Sequence, residues 1–186
     1  YRIGSEGDNS RSSKIEKFFS NNWYTELMHV EDKVIKHEII RNIEFLSYIT
    51  KNEYYPIKLA NLPKSKNIQE NRIPKENYFI ISPGGSREIK RWSVEYFAEV
   101  AKRIHEKFNY KLVICGDSSE RKVAKKIISL TGIKNFTNLA GKTDMESFIE
   151  IIRGAKILVA NDSSAIHIAA AVKTPSVCIL GGAHFG

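Results

Sequence analysis

A loop able to bind an anion follows the apolar run at residues 78–82. It places Gly84 and Gly85 first, and then Ser86 and Lys90. Glycines let the backbone approach a ligand, so that N–H groups, a hydroxyl and an ammonium can surround phosphate oxygens. The stretch lacks the Gly-Lys-Ser/Thr ending of a P-loop. Taken alone, it fits either a phosphate site or an ordinary tight loop between a strand and a helix.

A second polar stretch joins an apolar run to a helix of small residues. The first N–H groups of a helix have no intrahelical partner and lie at the positive end of the helix dipole. The N–H groups expected to face phosphate here belong to Ser163, Ser164 and Ala165. Asp162 either caps this helix or orients the turn and accepts from sugar hydroxyls. His167 is either a helix residue with satisfied bonds or a donor to phosphate or a sugar hydroxyl.

Other polar residues near strand ends have two interpretations each. Glu120 stands where a helix begins, so it is either a capping residue or an acceptor for ribose hydroxyls. His184 lies in the last loop and could reach the same ligand. Trp92 is expected to anchor the following helix by packing, whereas Arg87 and Arg91 are expected at the surface.

Strands that alternate with helices must position these residues. Apolar runs predict strands over residues 78–82, 111–115, 137–139, 156–160 and 176–180. Periodic stretches predict helices over residues 94–108 and 120–130, and one that ends near Gly154 and has Thr143 as N-cap and Glu146 in a capping box. A further helix, of small residues, is expected to open within the stretch 161–171. This order predicts an α/β fold, a parallel sheet with helices on both faces. The polar loops then gather at the carboxyl ends of the strands, where such sheets bind ligands.

The first part of the chain is less regular. Residues 1–22 are predicted as a loop after a short strand at residues 1–3, and residues 31–50 as an amphipathic helix. Three prolines and many polar residues between 51 and 77 indicate a linker. A domain boundary is therefore expected near residue 75, which gives domains 1–75 and 76–186. The missing initial Met and the end at a glycine-rich turn lead us to expect a piece of a longer chain.

Composition narrows the class of protein. The net charge of +8 over 186 residues is spread along the chain. This charge fits a solvated basic surface, an anionic substrate or an acidic membrane surface. Nucleic-acid binding is only weakly indicated, because the sequence has no basic motif interleaved with aromatic residues. Cys115 and Cys178 lie in strands and are expected to be small buried hydrophobes in a reducing compartment. No apolar run approaches the roughly 18 residues that would span a bilayer.

Four blocks together resemble the heptosyltransferase-like glycosyltransferases of family 9. They cover roughly residues 78–186, with a weaker similarity upstream at Arg2-Ile3-Gly4 and at residues 37–42. The blocks are Pro83-Gly84-Gly85-Ser86 with Lys90 and Trp92; Asn138-Leu139-Ala140-Gly141-Lys142-Thr143; Asn161-Asp162-Ser163-Ser164 with His167 and Ala169-Ala170-Ala171; and Pro175 with Gly181.

The resemblance implies a GT-B architecture of Rossmann-like domains and an inverting, metal-independent sugar transfer without a cofactor. The donor would be a nucleotide sugar, typically ADP-heptose, and the acceptor a lipid-linked glycan such as the lipopolysaccharide core. Residues 76–186 would be the donor domain, truncated at its C-terminus, and residues 1–75 the end of the acceptor domain with the interdomain linker. The catalytic base is expected upstream of this sequence. We expect a cytoplasmic enzyme, and the basic surface leads to the hypothesis of peripheral contact with the inner face of the anionic cytoplasmic membrane.

The resemblance also implies roles for individual residues. The diphosphate would contact Gly85, Ser86, Lys90, Ser163, Ser164 and Ala165. The sugar would contact Asp162, His167 and His184. The nucleoside would contact Glu120, Leu139, Ala140, Gly141 and Thr143.

Two departures bear on the donor sugar. Ser164 stands where the family usually has glycine, and the ending Gly181-Gly182-Ala183-His184-Phe185 replaces the usual Gly-Pro-Thr-like turn. Two other functions stay open from the sequence. The chain could be a nucleotide-sugar-binding module without transferase activity of its own, or another GT-B or epimerase-type enzyme with a different donor.

Overall fold

A computed structural model of the chain describes residues 2–5, 14–29, 38–54, 61–65, 73–85 and 88–180. Its contacts divide the chain into two compact units, Tyr1–Lys58 and Leu59–Gly186.

The second unit alternates strands and helices in the predicted order. Its strands are β3 (Tyr78–Ser82), β4 (Lys111–Ile114), β5 (Phe136–Asn138), β6 (Leu158–Asn161) and β7 (Ser176–Ile179). Its α-helices are α3 (Val94–Phe108), α4 (Arg121–Thr131), α5 (Met145–Gly154) and α6 (Ser164–Val172). Short 3-10 turns at Glu88–Lys90 and Ser118–Glu120 precede α3 and α4. The sequence-based strands and helices of this unit are thus confirmed: β3 and α3 have the predicted bounds, and the other ends are displaced by at most three residues.

All five strands pair in parallel in the order β5-β4-β3-β6-β7. Every residue of β3 and β6 is buried, whereas the edge strand β7 is exposed or half-buried. Central parallel strands are covered on both faces, and they therefore read as unbroken apolar runs. The predicted α/β class is confirmed.

Helices cover both faces of this sheet, and alternate residues of β3 supply the two cores. Tyr78 and Ile80 pack with the apolar side chains of α5 and α6. Phe79 and Ile81 pack with those of α3 and α4. Successive side chains of a strand point to opposite faces, so one strand serves both layers.

Short polar side chains cap the N-termini of α3 and α5. The Ser93 hydroxyl accepts from Tyr96 N at 3.3 Å and begins α3, as predicted. The prediction for α5 is wrong by one residue, since Asp144 rather than Thr143 is the N-cap and its carboxylate accepts from Ser147 N at 2.7 Å. A carboxylate gains more at the positive end of the helix dipole than a hydroxyl does, so Asp144 is the better cap.

The first unit contains β1 (Ile3–Ser5), α1 (Lys14–Asn21), β2 (Glu26–Met28) and α2 (Glu38–Thr50). β1 and β2 pair in parallel. The prediction of a loop over residues 1–22 is wrong for residues 14–21, which form α1. Apolar residues at 15, 18 and 19 recur there at helical spacing despite the polar composition. The helix predicted over residues 31–50 is confirmed from Glu38 onward, and residues 31–37 lie outside the described residues.

Residues 61–65 pack on α5 within the second unit. Arg153 Nη2 donates to Leu62 O at 2.8 Å and to Pro63 O at 3.1 Å, while its Nε donates to Glu150 at 3.0 Å. Ser65 N donates to the same Glu150 carboxylate at 3.1 Å. Part of the stretch predicted as a linker therefore folds with the second unit, and the division between the two compact units falls at residue 58, earlier than the expected residue 75.

The two cysteines differ in their surroundings. Cys115, the residue after β4, is fully buried, as expected, and burial raises the pKa of its thiol to about 12. The expectation of burial is wrong for Cys178, which is half-buried because β7 lies at the edge of the sheet. Both thiols are free.

Candidate functional site

A cavity of about 490 Å³ lies in the second unit, at the carboxyl ends of β3, β4 and β6. After β3 the chain turns toward β4 on one side, whereas β6 lies beside β3 on the other. Such a reversal of strand order leaves a crevice between the two loops that leave the adjacent strands, and ligands of open α/β sheets bind there.

Asn161 ties the two sides of this crevice together from inside. It is the last residue of β6 and is fully buried. Its Nδ2 donates to Pro83 O at 2.7 Å and to Gly84 O at 3.3 Å, and its Oδ1 accepts from Trp92 N at 3.0 Å. One amide thereby satisfies backbone groups at both ends of the loop after β3, which fixes that loop beside the start of α6.

Trp92 and Arg91 hold the outer part of the same loop. The Trp92 ring stacks on Tyr96 with centroids 5.3 Å apart and meets Phe97 edge-on at 5.2 Å, which confirms its predicted anchoring role. Arg91 Nε donates to Gly85 O at 2.9 Å, and both residues line the cavity. Arg91 is exposed, as expected, but its position in the cavity wall was not predicted from the sequence.

Glu120 joins the loops after β3 and β4. Its Oε2 accepts from Asp117 N at 2.9 Å, and the Asp117 carboxylate in turn accepts from the N–H of Ser119 at 2.7 Å. A Cβ atom added to Gly84 or to Gly116 would overlap the Glu120 carboxylate. A side chain at either position would displace this carboxylate, which lies directly against the backbone of both loops.

The two carboxylates of this turn titrate differently. Burial raises the pKa of Glu120, against the opposing effects of the Asp117 N–H and of the Arg91 charge. Hydrogen bonds from the Ser119 side chain and backbone lower the pKa of Asp117, which is exposed. Glu120 is therefore a half-buried acceptor with one oxygen bound to protein, whereas Asp117 is an exposed capping residue whose Oδ1 accepts from both the N–H and the hydroxyl of Ser119.

The start of α6 forms another wall of the cavity. Ser163 is the N-cap residue, yet its side chain makes no capping hydrogen bond. Its Oγ is buried and has no partner among the described residues. Ser164 is exposed and Ala165 is buried, and both line the cavity. A buried hydroxyl and the first N–H groups of a helix therefore converge on the same space, with donors available for an anion.

Seven of the residues to which the resemblance assigns a ligand contact lie around this cavity. They are Gly85, Glu120, Thr143, Asp162, Ser163, Ser164 and Ala165. Four others do not line it. His167 is exposed on α6, Leu139 and Ala140 are buried in the two cores, and Gly141 closes the turn after β5 at a φ of 66°. Ser86 and His184 lie outside the described residues, and Lys90 is described only for its backbone.

Sequence reasoning missed several wall residues. Arg91, Asp117, Asp144, Met145 and Phe148 also line the cavity. Of these, Asp117 could have been found, because it lies in a loop already predicted to leave a carboxyl end of a strand. Met145 and Phe148 read as ordinary helix residues, and only the position of α5 beside the cavity gives them an apolar surface toward it.

Membrane-spanning helices and metal-binding clusters are both absent from the described ranges. None of the helices there is both long and apolar enough to cross a bilayer. No group of three or more His, Cys, Asp or Glu side chains in the same ranges is placed to hold a metal ion.

Comparison with known proteins gives consistent matches. The model of glycosyltransferase family 9 (heptosyltransferase) matches residues 13–184. Lipooligosaccharide heptosyltransferase 2 of Campylobacter jejuni subsp. jejuni serotype O:2 is 26% identical over 178 residues, which are 93% of this chain and 52% of that protein. Lipopolysaccharide heptosyltransferase 2 of Escherichia coli K12 is 30% identical over 95 residues, which are 50% of this chain and 27% of that protein. The chain thus spans between about a quarter and half of these relatives.

A solved structure supports the fold. The heptosyltransferase WaaC of E. coli, solved with ADP, superposes with a TM-score of 0.66 at 18% identity, over 95% of this chain and 53% of that one. The similarity places the sheet and its helices in the GT-B fold class, as predicted.

Proposed function

Since this chain belongs to glycosyltransferase family 9, the heptosyltransferase family, we propose that its cavity binds a nucleotide diphosphate sugar, with ADP-heptose as the first candidate. The observation that carries the proposal is the convergence of the α6 N-terminus and the buried, unpartnered Ser163 hydroxyl on one cavity. Both offer hydrogen-bond donors to an anion. ADP bound to the related WaaC is consistent with this ligand class.

The nucleoside would occupy the side formed by Glu120 and the start of α5. The free oxygen of the Glu120 carboxylate is suited to accept from ribose hydroxyls. Met145 and Phe148 offer an apolar surface for a base, and Thr143 lines the cavity beside them. The turn after β5 would act indirectly, because it shapes the backbone that leads to this wall. It contains Leu139, Ala140 and Gly141.

The reaction would be an inverting transfer. An acceptor hydroxyl attacks the anomeric carbon, the bond from that carbon to the diphosphate oxygen breaks, and its electron pair stays with the leaving nucleotide. The acceptor proton passes to a general base. Negative charge grows on the diphosphate, and the N–H groups at residues 163–165 would stabilise it. Asp162 would hold sugar hydroxyls, and Lys90 and Ser86 keep their sequence-based roles at the diphosphate.

Binding is tested by calorimetric titration of the chain with ADP, UDP and GDP. We expect ADP to bind most tightly and Asp162→Ala to weaken an ADP-sugar more than ADP itself. A wild-type chain that binds none of the three at millimolar concentration would contradict the proposal.

Transfer is tested separately, with ADP-heptose and a lipopolysaccharide-core acceptor. In a form of the protein that transfers sugar, Lys90→Ala and Asp162→Ala are each expected to lower the rate about 10²–10³-fold while the fold is kept, since they remove preorganised charge stabilisation or positioning. Wild-type turnover in either folded variant would contradict the assigned roles.

The second candidate is a nucleotide-sugar-binding module without transferase activity of its own. In that case the 186-residue chain binds ADP but transfers no sugar under any acceptor condition. Transfer by the chain alone would exclude this candidate.

We further propose that the acceptor is a lipid-linked glycan and that the first unit, Tyr1–Lys58, contributes to its side of the enzyme. The net charge of +8 would favour peripheral contact with anionic lipid at the cytoplasmic face of the membrane. Co-sedimentation with anionic liposomes at low salt tests this, with neutral liposomes as control. Absence of the protein from the pellet would contradict membrane contact but not donor binding.

A further inference from the structure

We propose that the guanidinium of Arg91 binds the diphosphate of the donor and stabilises the charge that grows there during transfer. The inference rests on the proposed function, because it adds a residue to the same ligand site. It also revises the sequence-based expectation that Arg91 is only a surface residue.

Charge in the cavity is the first argument. Among the described residues that line it, four carry carboxylates, namely Asp117, Glu120, Asp144 and Asp162. Arg91 is the one cationic side chain in that described lining. A diphosphate carries two or more negative charges, so a guanidinium beside it would offset part of the repulsion from the four carboxylates, in addition to the ammonium proposed for Lys90. The guanidinium, which stays protonated and offers several N–H groups in one plane, suits phosphate oxygens.

A hydrogen bond already fixes the position of the Arg91 side chain. Its Nε donates to Gly85 O at 2.9 Å, and Gly85 itself lines the cavity. Within the described part of the chain its terminal Nη groups donate to no protein acceptor, and no ion pair joins it to Asp117 or Glu120. One edge of the guanidinium is thus used to fix its position, and the other edge remains available for a ligand.

The backbone under Arg91 is fixed as well. Arg91 N donates to Glu88 O at 2.9 Å, and the next N–H, that of Trp92, donates to the buried Asn161 at 3.0 Å. The Trp92 ring packs against both Tyr96 and Phe97. A side chain that starts from a fixed backbone loses less conformational freedom when it binds a ligand.

In the transfer step the anomeric C–O bond breaks and the electron pair stays on the diphosphate oxygen. Hydrogen bonds from Arg91 then meet a more negative acceptor than in the ground state, and they become stronger as the bond breaks. The proton of the attacking hydroxyl goes to the general base, so Arg91 itself neither gains nor loses a proton.

The experiment compares Arg91→Gln, Arg91→Lys and a matched control, Arg103→Gln. Arg103 is also an exposed arginine whose Nε is hydrogen-bonded, to Glu99 at 2.7 Å, but it lies on α3 and does not line the cavity. Calorimetry of the 186-residue chain uses three probes, which are ADP, inorganic pyrophosphate and adenosine. Thermal unfolding establishes that each variant is folded at the temperature of titration.

For Arg91→Gln we expect affinity for ADP and for pyrophosphate to fall about 10- to 100-fold, which corresponds to one hydrogen-bonded charge. Affinity for adenosine should stay unchanged, because it has no phosphate. Arg91→Lys should recover part of the loss through its charge, and Arg103→Gln should match the wild type with all three probes.

Several results would overturn the inference. Equal affinities of Arg91→Gln and the wild type for ADP would do so, and so would an equal loss for ADP and adenosine, since Arg91 would then act on the shape of the cavity. If the wild type binds pyrophosphate through Arg91 but shows no preference for ADP, the nucleotide proposal fails while the Arg91 assignment stands. If the wild type binds neither ADP nor pyrophosphate, both fail.

Discussion

Two polar residues of the cavity wall, Glu120 and Ser163, are partly removed from water without a full set of hydrogen-bond partners in the described part of the chain. Burial raises the pKa of the Glu120 carboxyl, and the Ser163 hydroxyl is buried without a partner in the described part of the chain. Unsatisfied or perturbed polar groups in a concave site are typical of ligand contacts, because the ligand supplies the missing partner.

The raised pKa of Glu120 predicts a pH dependence of stability. Between its ordinary value of 4.5 and the raised value, the folded protein binds more protons than the unfolded chain. The stabilising contribution is therefore full below pH 4.5 and is lost as pH rises through the raised pKa. Glu120→Gln keeps an acceptor for Asp117 N and removes this titration. Thermal unfolding of both proteins across pH should show wild-type stability falling relative to the variant as pH rises.

Glu99→Gln is the matched control for this measurement. A hydrogen bond and charge from Arg103 lower the pKa of the exposed Glu99. Its contribution is therefore lost as pH falls, which is the opposite direction. A wild-type-minus-variant difference for Glu120 that rises with pH would contradict the burial of its carboxylate.

Ser163→Ala should separate stability from binding. The substitution removes a buried hydroxyl that has no partner, and no capping bond is lost with it. We expect the ligand-free protein to keep its stability or to gain up to about 1 kcal/mol, while affinity for ADP falls.

Ser93→Ala provides the comparison, because Ser93 is an N-cap whose hydroxyl does accept a hydrogen bond. It should lose about 1 kcal/mol of stability without a change in ADP affinity. Urea unfolding and calorimetry measure the two effects. Loss of stability in Ser163→Ala with unchanged ADP binding would indicate a purely structural hydroxyl.

At the scale of elements, the loop after β3 and the start of α6 form one unit through Asn161. Its amide bonds to Pro83 O, Gly84 O and Trp92 N, and no solvent reaches it. Loss of these bonds leaves buried backbone groups without partners, which costs more than the bonds themselves contribute.

Asn161→Ala is therefore expected to lower the free energy of unfolding by roughly 2–4 kcal/mol and to weaken ADP binding. Thr174→Val is the control, since Thr174 also makes a buried bond, to Ile152 O at 2.8 Å, but does not line the cavity. It should lose about 1–2 kcal/mol and bind ADP like the wild type. Titration at a temperature where both variants are fully folded distinguishes positioning from general destabilisation. Wild-type ADP affinity in folded Asn161→Ala would contradict the positioning role.

Element types in the second unit followed from the sequence, whereas details of their ends did not. Strands buried on both faces and helices with one apolar face have different periodicities, so residues 78–180 were predictable. The start of α5 was misplaced because Thr143 and Asp144 are both good caps, and the backbone conformation decides between them. α1 was missed because its apolar residues stand among serines and asparagines, which favour loops.

At the scale of the whole chain, residues 61–65 belong to the second unit. The side chains of Glu150 and Arg153 that hold them are largely buried, with 6% and 19% of their surfaces exposed. We call the Glu150–Arg153 ion pair, with its hydrogen bonds to residues 61–65, the clamp. Buried charges must be paired, so the clamp depends on both side chains.

Arg153→Met should release residues 61–65 and lower the free energy of unfolding by roughly 3–5 kcal/mol, because the Glu150 carboxylate is left buried without its cation. Arg103→Met, at an exposed ion pair on α3, should change it by less than about 1 kcal/mol. Amide exchange at residues 61–65 and urea unfolding measure the effects. Unchanged protection of Ser65 N in Arg153→Met would contradict the clamp.

The sequence by itself determined the alternation of strands and helices, the parallel sheet and the loops in which polar residues gather. These follow from local periodicity and from the general geometry of parallel sheets. Only the tertiary structure decided that Arg91, Met145 and Phe148 enter the cavity wall, that His167 does not line it, and that Asn161 joins the two loops. The contact of Asn161 with Pro83 spans 78 residues and exists because β6 lies beside β3. Strand order is a property of the packed sheet, and no local pattern along the chain records it.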